Sequence, residues 1–216
     1  MKTFTFNFFL CGLIILAFTS CKKDSDSSNS EGLSGNILKG KLYGWTQGSD
    51  KKIVSTSSTA NENTGEAIIG SDGSFSISMT APSVATLDGI VSYFEMPLAI
   101  SDTTSKCADI FFEIGDNSGT SIGSMEFSNG IAELTKGCAV GDIMYVTKNT
   151  TLKGSFSYSY FGITETEIVD LNLKTGWNLI TSEVTKYSED AGAITIENKI
   201  SNSVPANMNW KLTVGK

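Results

Sequence analysis

The chain contains no histidine and no arginine: all 16 of its basic residues are lysine, against 23 acidic residues. Without imidazole there is no Ser-His-Asp or Cys-His nucleophile system and no histidine-ligated zinc. Without guanidinium there is no bidentate clamp for phosphate or carboxylate. A formal net charge of −7 argues against a nucleic-acid partner, which needs clustered positive charge. Proline is scarce, at 3 residues, and cysteine occurs 4 times. What is abundant is serine and threonine, 52 of 216 residues, together with 21 glycines.

The first residues carry an address. Met1-Lys2 is a short positive start, and a mostly apolar run follows from Phe4 to Phe18, broken by Thr5 and Asn7. The run is short for a bilayer-spanning helix, which needs about 20 apolar residues. It ends in Phe18-Thr19-Ser20-Cys21, small residues before a cysteine, as at a processing site. The pattern resembles a bacterial lipoprotein signal, with Phe18 where an aliphatic residue is commoner. The resemblance implies that residues 1–20 are removed and Cys21 is lipidated, leaving 196 of the 216 residues. Acyl chains on one cysteine hold a protein to a membrane without a spanning helix. No later stretch reaches spanning length, so the remainder is expected to be soluble.

Residues 22–34, KKDSDSSNSEGLS, are too polar to offset their ordering entropy and are expected to form a tether. A cysteine followed by lysines, aspartates and serines resembles the lipoproteins of Bacteroidota. That implies an outer-membrane location, with display at the cell surface.

From Gly35 to the end the chain reads as all-β, an antiparallel β-sandwich of about ten or eleven strands over 35–216. One domain or two small lobes meeting near residue 100 are both compatible with the length. Ser74 to Met79 alternates Phe75, Ile77 and Met79 with serines. Met208, Trp210, Leu212 and Val214 alternate with Asn209, Lys211 and Thr213, and Phe156, Tyr158 and Tyr160 with serines. Further strands are expected at 37–45, 109–114, 120–127, 143–148 and around Ile194–Glu197, with 131–134 a further segment if the region from 109 is a simple meander. Asp72-Gly73 predicts a hairpin between Ala67–Ile69 and Ser74–Met79. Leu173-Lys174-Thr175-Gly176-Trp177 predicts another, between 167–173 and 177–184. The one candidate for a helical turn is Ser83 to Tyr93, after Pro82.

Gly40-Lys-Leu-Tyr-Gly44, followed by Ser71-Asp72-Gly73-Ser74-Phe75-Ser76-Ile77, resembles the start of transthyretin-like and carboxypeptidase-regulatory-like sandwich modules. Leu171 to Asn178 resembles a hairpin recurrent in uncharacterised β-rich lipoproteins of Bacteroidota. Neither resemblance brings a catalytic residue with it, and no cofactor is implied.

Six groups of residues are candidates for chemistry or contact. Cys107 and Cys138 are expected to pair outside the cytoplasm, although a simple meander puts them at opposite ends; two buried thiols are the alternative. Tyr43 and Trp45 share one side of the first strand and Leu38 and Leu42 the other. Tyr43 and Trp45 are therefore candidates for a ligand face, for a glycan or a surface protein, unless a loop covers them. The Phe156/Tyr158/Tyr160 stripe is expected to pack in the core, because serines fill its opposite face. Glu165 and Glu167 project to one side of a strand about 7 Å apart, a spacing used by inverting glycosidases, but a solvated strand end explains them as well. Asp116-Asn117-Ser118-Gly119 lacks the spaced acids of a calcium loop and reads as a turn, so no metal site is expected. Asp102-Thr103-Thr104 resembles the short O-glycosylation motif of exported Bacteroidota proteins, which would put a glycan on Thr103.

The reading that these features support is a lipid-anchored, non-enzymatic binding or structural accessory module. Its partners would be the membrane, through its anchor, and a glycan or surface protein. A carboxylate-dependent glycoside hydrolase and a structural subunit of a surface assembly are the alternatives.

Overall fold

The computed structural model describes residues 32–59, 61–131 and 134–214. The expected signal, Cys21 and most of the expected tether lie outside them. Among the described residues fifteen strands are formed, more than the ten or eleven expected. The first five are β1 (Gly32–Ser34), β2 (Ile37–Lys41), β3 (Lys51–Ser57), β4 (Glu62–Ile68) and β5 (Ser74–Ser78). A 3-10 turn at Val84–Thr86, β6 (Asp88–Gly89), the five-residue helix α1 (Ile90–Phe94) and β7 (Ala99–Ile100) follow. Then come β8 (Lys106–Asp116), β9 (Ser121–Ser128), β10 (Ala139–Val146) and β11 (Thr150–Tyr160). The chain ends in β12 (Ile163–Leu173), β13 (Gly176–Asp190), β14 (Ala193–Ser201) and β15 (Asn209–Thr213). Among the described residues no helix is long and apolar enough to cross a membrane.

The strands form a three-stranded sheet, β1-β2-β5, and a twelve-stranded one, β4-β3-β8-β9-β10-β13-β14-β12-β11-β7, with β15 on β9 and β6 on β8. The large sheet takes strands from both sides of residue 100. The fold is thus all-β and sandwich-like, and antiparallel apart from the β12–β14 pair and an isolated bridge. β1 occupies the last three residues of the expected tether, paired to β2 with Leu33 opposite Leu38.

One core lies between the two sheets. Alternation puts Leu38, Leu42, Phe75, Ile77 and Met79 inward from the small sheet, against Ile53, Phe112, Ile114 and Ile143 from the large one. Trp210 of β15 joins the layers. Its ring meets Phe75 and Phe112 edge-on, at centroid distances of 6.0 and 5.8 Å, and lies against Phe127 at 4.6 Å. Each such pair adds about 0.5–1.5 kcal/mol beyond burial. Gly40 is required here, because a Cβ would stand 2.6 Å from the Trp210 ring and 2.7 Å from Phe75. A second core, on the other face, gathers Met144, Leu152, Val169 and Leu171 under Ile90 and Phe94 of α1.

Two expected hairpins turn out to be something else. Asp72-Gly73 does turn the chain, with Gly73 at φ +86° and the Asp72 carboxylate accepting from the Ser74 N–H and hydroxyl. It carries the chain from β4 in the large sheet to β5 in the small one, rather than pairing the two. Leu173–Trp177 reverses the chain between β12 and β13, but β14 is inserted between them, antiparallel to β13 and parallel to β12. β14 ends at Ser201, and Asn202 spans the gap beyond it: its Oδ1 accepts from the Asn172 N–H at 2.7 Å, and its Nδ2 donates to the Leu179 C=O at 3.2 Å. The turn itself is held by buried Asn178. Its Oδ1 accepts from the Lys174 N–H at 2.8 Å, and its Nδ2 donates to the carbonyls of Lys174 and Gly176 at 2.7 and 2.9 Å.

β3 had no expectation attached to it. Its core-facing positions are Ile53, Ser55 and Ser57, all fully buried, so small polar residues mask the alternation. Ser55 is accommodated by donating to the Gly65 C=O at 3.1 Å.

Replacing Asn178 by alanine strips three hydrogen bonds from the turn between β12 and β13. Each buried group left unmatched costs about 1–3 kcal/mol. The expected outcome for Asn178→Ala is a loss of at least ~2 kcal/mol in urea denaturation, with Asn209→Ala, an exposed control, within about 0.5 kcal/mol of wild type.

Candidate functional site

The outer halves of β11, β12, β13 and β14 form two hairpins lying side by side. Both end in two-residue turns with positive φ at both positions: Phe161 (+46°) and Gly162 (+82°), then Ala191 (+48°) and Gly192 (+84°). The Ile194 N–H donates to the Gly162 C=O at 3.0 Å, which ties the tips together.

Register determines what meets on one face. β11 and β12 place Phe156 opposite Glu167, Tyr158 opposite Glu165 and Tyr160 opposite Ile163. β12 and β14 place Glu165 beside Ile196 and Glu167 beside Asn198. The glutamates are not at a solvated strand end: Glu165 is 5 % exposed and Glu167 6 %. Asn198 Nδ2 donates to one oxygen of Glu165 at 2.5 Å and the Tyr160 hydroxyl to the other at 3.4 Å. The Tyr158 hydroxyl faces both carboxylates. Oε2 of Glu167 is buried without a hydrogen-bond partner among the described residues. None of the salt bridges among those residues brings a lysine to either glutamate.

The aromatic stripe is half-buried to exposed rather than core. Phe156 and Tyr158 stack at 5.8 Å and 16°, Tyr158 and Tyr160 at 5.8 Å and 15°. Both faces of Tyr158 are therefore spent on its two neighbours. Tyr160 ends the stack and meets Phe161 edge-on at 6.4 Å. Phe161 is fully exposed, at 102 %. Sequence reasoning passed over it, although Ser-Tyr-Phe-Gly between two alternating runs is a signal, because this turn position ordinarily holds Asn, Asp or Gly. Asn198 carried no signal, since only the non-local parallel pairing brings it to Glu165.

Compared with known proteins, the chain matches no protein-family model, no curated protein and no solved structure.

Tyr43 and Trp45 separate. β2 stops at Lys41, and the Tyr43 N–H donates to the Trp210 C=O at 2.8 Å. Tyr43 is 62 % exposed. Trp45 is half-buried against the first core, with its Nε1 donating to the Gly48 C=O at 2.7 Å, so its ring is held inside its own loop. The expected two-residue face reduces to Tyr43.

The expected Cys107–Cys138 disulfide is not formed. Cys107 lies opposite Val146 at the end of β10, and Cys138 immediately precedes Ala139 at its start. Eight residues of strand separate them by about 25 Å, whereas a bridge needs Cα atoms within about 7 Å. Both are buried, in different cores. Burial, aided by Asp88 and Asp109, pushes the Cys107 thiol up to about 12.

Thr103 is exposed in a turn. Its neighbours shape that turn: Asp102 Oδ1 accepts from the Thr104 N–H and hydroxyl at 2.9 and 2.6 Å, and Lys148 Nζ donates to Thr104 at 2.5 Å. Asp116–Gly119 is a hairpin turn in which the Asp116 carboxylate accepts from Ser118 and Thr120, which holds it below the usual carboxylate range. Among the described residues no group of three or more Cys, Asp or Glu side chains is placed to hold a metal. A shallow depression at the sandwich edge is lined by Met79, Tyr145, Lys174 and Trp177.

Burial pushes the Glu167 carboxyl from 4.5 up to about 7; the Glu165 carboxylate adds to the rise and the Tyr158 hydroxyl opposes it. A carboxyl raised in the folded state stabilises the fold in its protonated form. That contribution is complete below about 4.5 and is lost as pH rises through about 7. The melting temperature is expected to fall across this window, and Glu167→Gln to flatten the fall. An identical pH profile in the variant would show that Glu167 does not titrate there.

Proposed function

We propose that the chain is a non-enzymatic binding module, anchored to the outer membrane by a lipid on Cys21 and displayed at the cell surface, which holds a partner through its paired hairpin tips. Phe161 carries this reading. A fully exposed phenylalanine at φ +46° combines an unfavourable backbone conformation with unfavourable hydration. A turn selected for folding alone is better served by asparagine or glycine. The tip adds Tyr160 beside it, and the two strands that carry it, β11 and β12, are 11 residues long each.

Within the stacked stripe the ring geometry favours a protein over a glycan as partner. Flat stacking on a sugar needs a free ring face, and Tyr158, the inner ring of the stripe, has none to offer. The compartment rests on the resemblance of residues 1–24 to a Bacteroidota lipoprotein signal, and a glycan on Thr103 would suit the same compartment. The two segments that resemble transthyretin-like and carboxypeptidase-regulatory-like modules pair with each other as β2 and β5, which suits a module of that kind.

A second reading, a carboxylate-dependent glycoside hydrolase, is favoured by one observation. Glu167 combines an oxygen without a partner with a carboxyl raised to about 7, two strand positions from Glu165. It requires that the wild-type chain release reducing ends from some polysaccharide and that Glu167→Gln stop it. A wild-type chain inert on a broad polysaccharide panel removes this reading.

In cells making the full chain, Cys21→Ser is expected to abolish acyl labelling and release the protein from the membrane fraction. Intact cells bearing the wild-type chain are expected to retain proteins from an immobilised surface and matrix panel. Cells bearing Phe161→Ser should bind about tenfold less, the loss typical of one aromatic anchor. Equal retention by both would remove the hairpin tip as the contact.

A further inference from the structure

We infer that the outer edge of β11 is a self-pairing edge, through which two copies of this chain join antiparallel about a two-fold axis at Tyr158. The paired edge shares Tyr160 with the hairpin tip and leaves Phe161 beyond the last matched aromatic pair.

β7 covers this edge only at Leu152 and Lys153. The bond from the Ser101 N–H to the Thr151 C=O, at 3.1 Å, establishes which backbone groups point outward. They belong to the odd-numbered residues, so the N–H and C=O groups of Ser155, Ser157 and Ser159 face away from β12. Among the described residues no strand pairs with them. The opposite end of the large sheet is treated differently: on β4 the Thr64 C=O accepts from the Thr80 N–H and hydroxyl at 2.7 and 3.1 Å, and Glu62 and Glu66 charge the strand.

Edges that must stay single carry lysine, proline or a bulge. From Gly154 to Gly162 the sequence is GSFSYSYFG, without a charge or a proline, in a chain of net charge −7. The β11–β12 register runs through this stretch without a shift. Two acidic copies therefore meet at a neutral strip.

The stretch is also complementary to itself. With Tyr158 opposite Tyr158 of a second copy, Phe156 faces the other copy's Tyr160, and Ser157 faces its Ser159. All three aromatic residues then meet aromatic residues on one face and hydroxyls meet hydroxyls on the other. The outward groups of Ser157 and Ser159 exchange four main-chain hydrogen bonds across the axis. Shifting the register by two residues in either direction breaks the aromatic match. A foreign strand gains the backbone bonds but not this symmetry, so the second copy is the occupant.

The test uses the full chain in mild detergent, with mass measured by sedimentation. Wild type is expected to be dimeric at micromolar concentration. Ser157→Lys combined with Ser159→Lys sets like charges across the axis and is expected to give monomers. Ser157→Glu combined with Ser159→Lys sets opposite charges across it and is expected to restore the dimer. Both pairs change exposed side chains, and circular dichroism confirms folding. In membranes, Tyr158→Cys is expected to yield a disulfide-linked dimer on non-reducing gels and Ser188→Cys none. A wild-type chain that stays monomeric to about 100 µM, a dimer indifferent to the charge pairs, or a Tyr158→Cys adduct with a different protein would each overturn the inference.

Discussion

Parallel neighbours in a sheet cannot be joined by a short turn, and β12 and β14 are joined instead through the whole of β13 and two reversals. The consequence is that β14 drives a wedge into what would otherwise be a simple β12–β13 hairpin. The wedge needs an end, and Asn202 supplies it by bonding to both flanking strands where β14 runs out. It also needs a turn that tolerates strands held one position apart, and Asn178 supplies that from beneath. With both in place, the β11–β12 hairpin is displaced outward by one strand. β11 becomes an edge, the two tips lie side by side, and Asn198 comes within reach of Glu165.

The burial of Glu165 and Glu167 follows from the same displacement. A carboxylate removed from water must be matched by donors or take up a proton. Asn198 and Tyr160 donate to Glu165. Glu167 stands next to it with one unmatched oxygen and takes the other route, so its proton is held toward neutral pH. Of the two glutamates on this strand, Glu165 accepts from an amide on a neighbour that only parallel pairing can provide.

Legibility in the sequence tracked the range of the interactions. Where burial follows strict alternation, as in Ser74–Met79 and around Trp210, strand and inward face were both readable, because period two is a local property. The one helical turn that Ser83–Tyr93 suggests is found as two short pieces, Val84–Thr86 and Ile90–Phe94. What failed was partner choice. Asp72-Gly73 and Leu173–Trp177 both reverse the chain, as their residues indicate, but a turn's chemistry does not say which sheet receives the next strand. Cys107 and Cys138 failed for the same reason, since β10 holds them at opposite ends. The aromatic stripe was assigned to the core because serines oppose it, yet an edge hairpin can leave both faces partly open.

The missing histidine and arginine acquire a structural meaning at this site. A buried carboxylate pair in most proteins recruits a guanidinium or an imidazole, which neutralises charge and fills hydrogen-bonding positions together. Here the remaining cation is lysine, a strongly hydrated point charge poorly suited to a site between stacked rings. The donors within reach are an amide and two phenols, which satisfy oxygens without cancelling charge. The proton on Glu167 does what an arginine would otherwise do, and unlike an arginine it leaves as pH rises. A hairpin pair whose buried carboxyls meet only an amide and phenols is thereby coupled to the acidity of its surroundings.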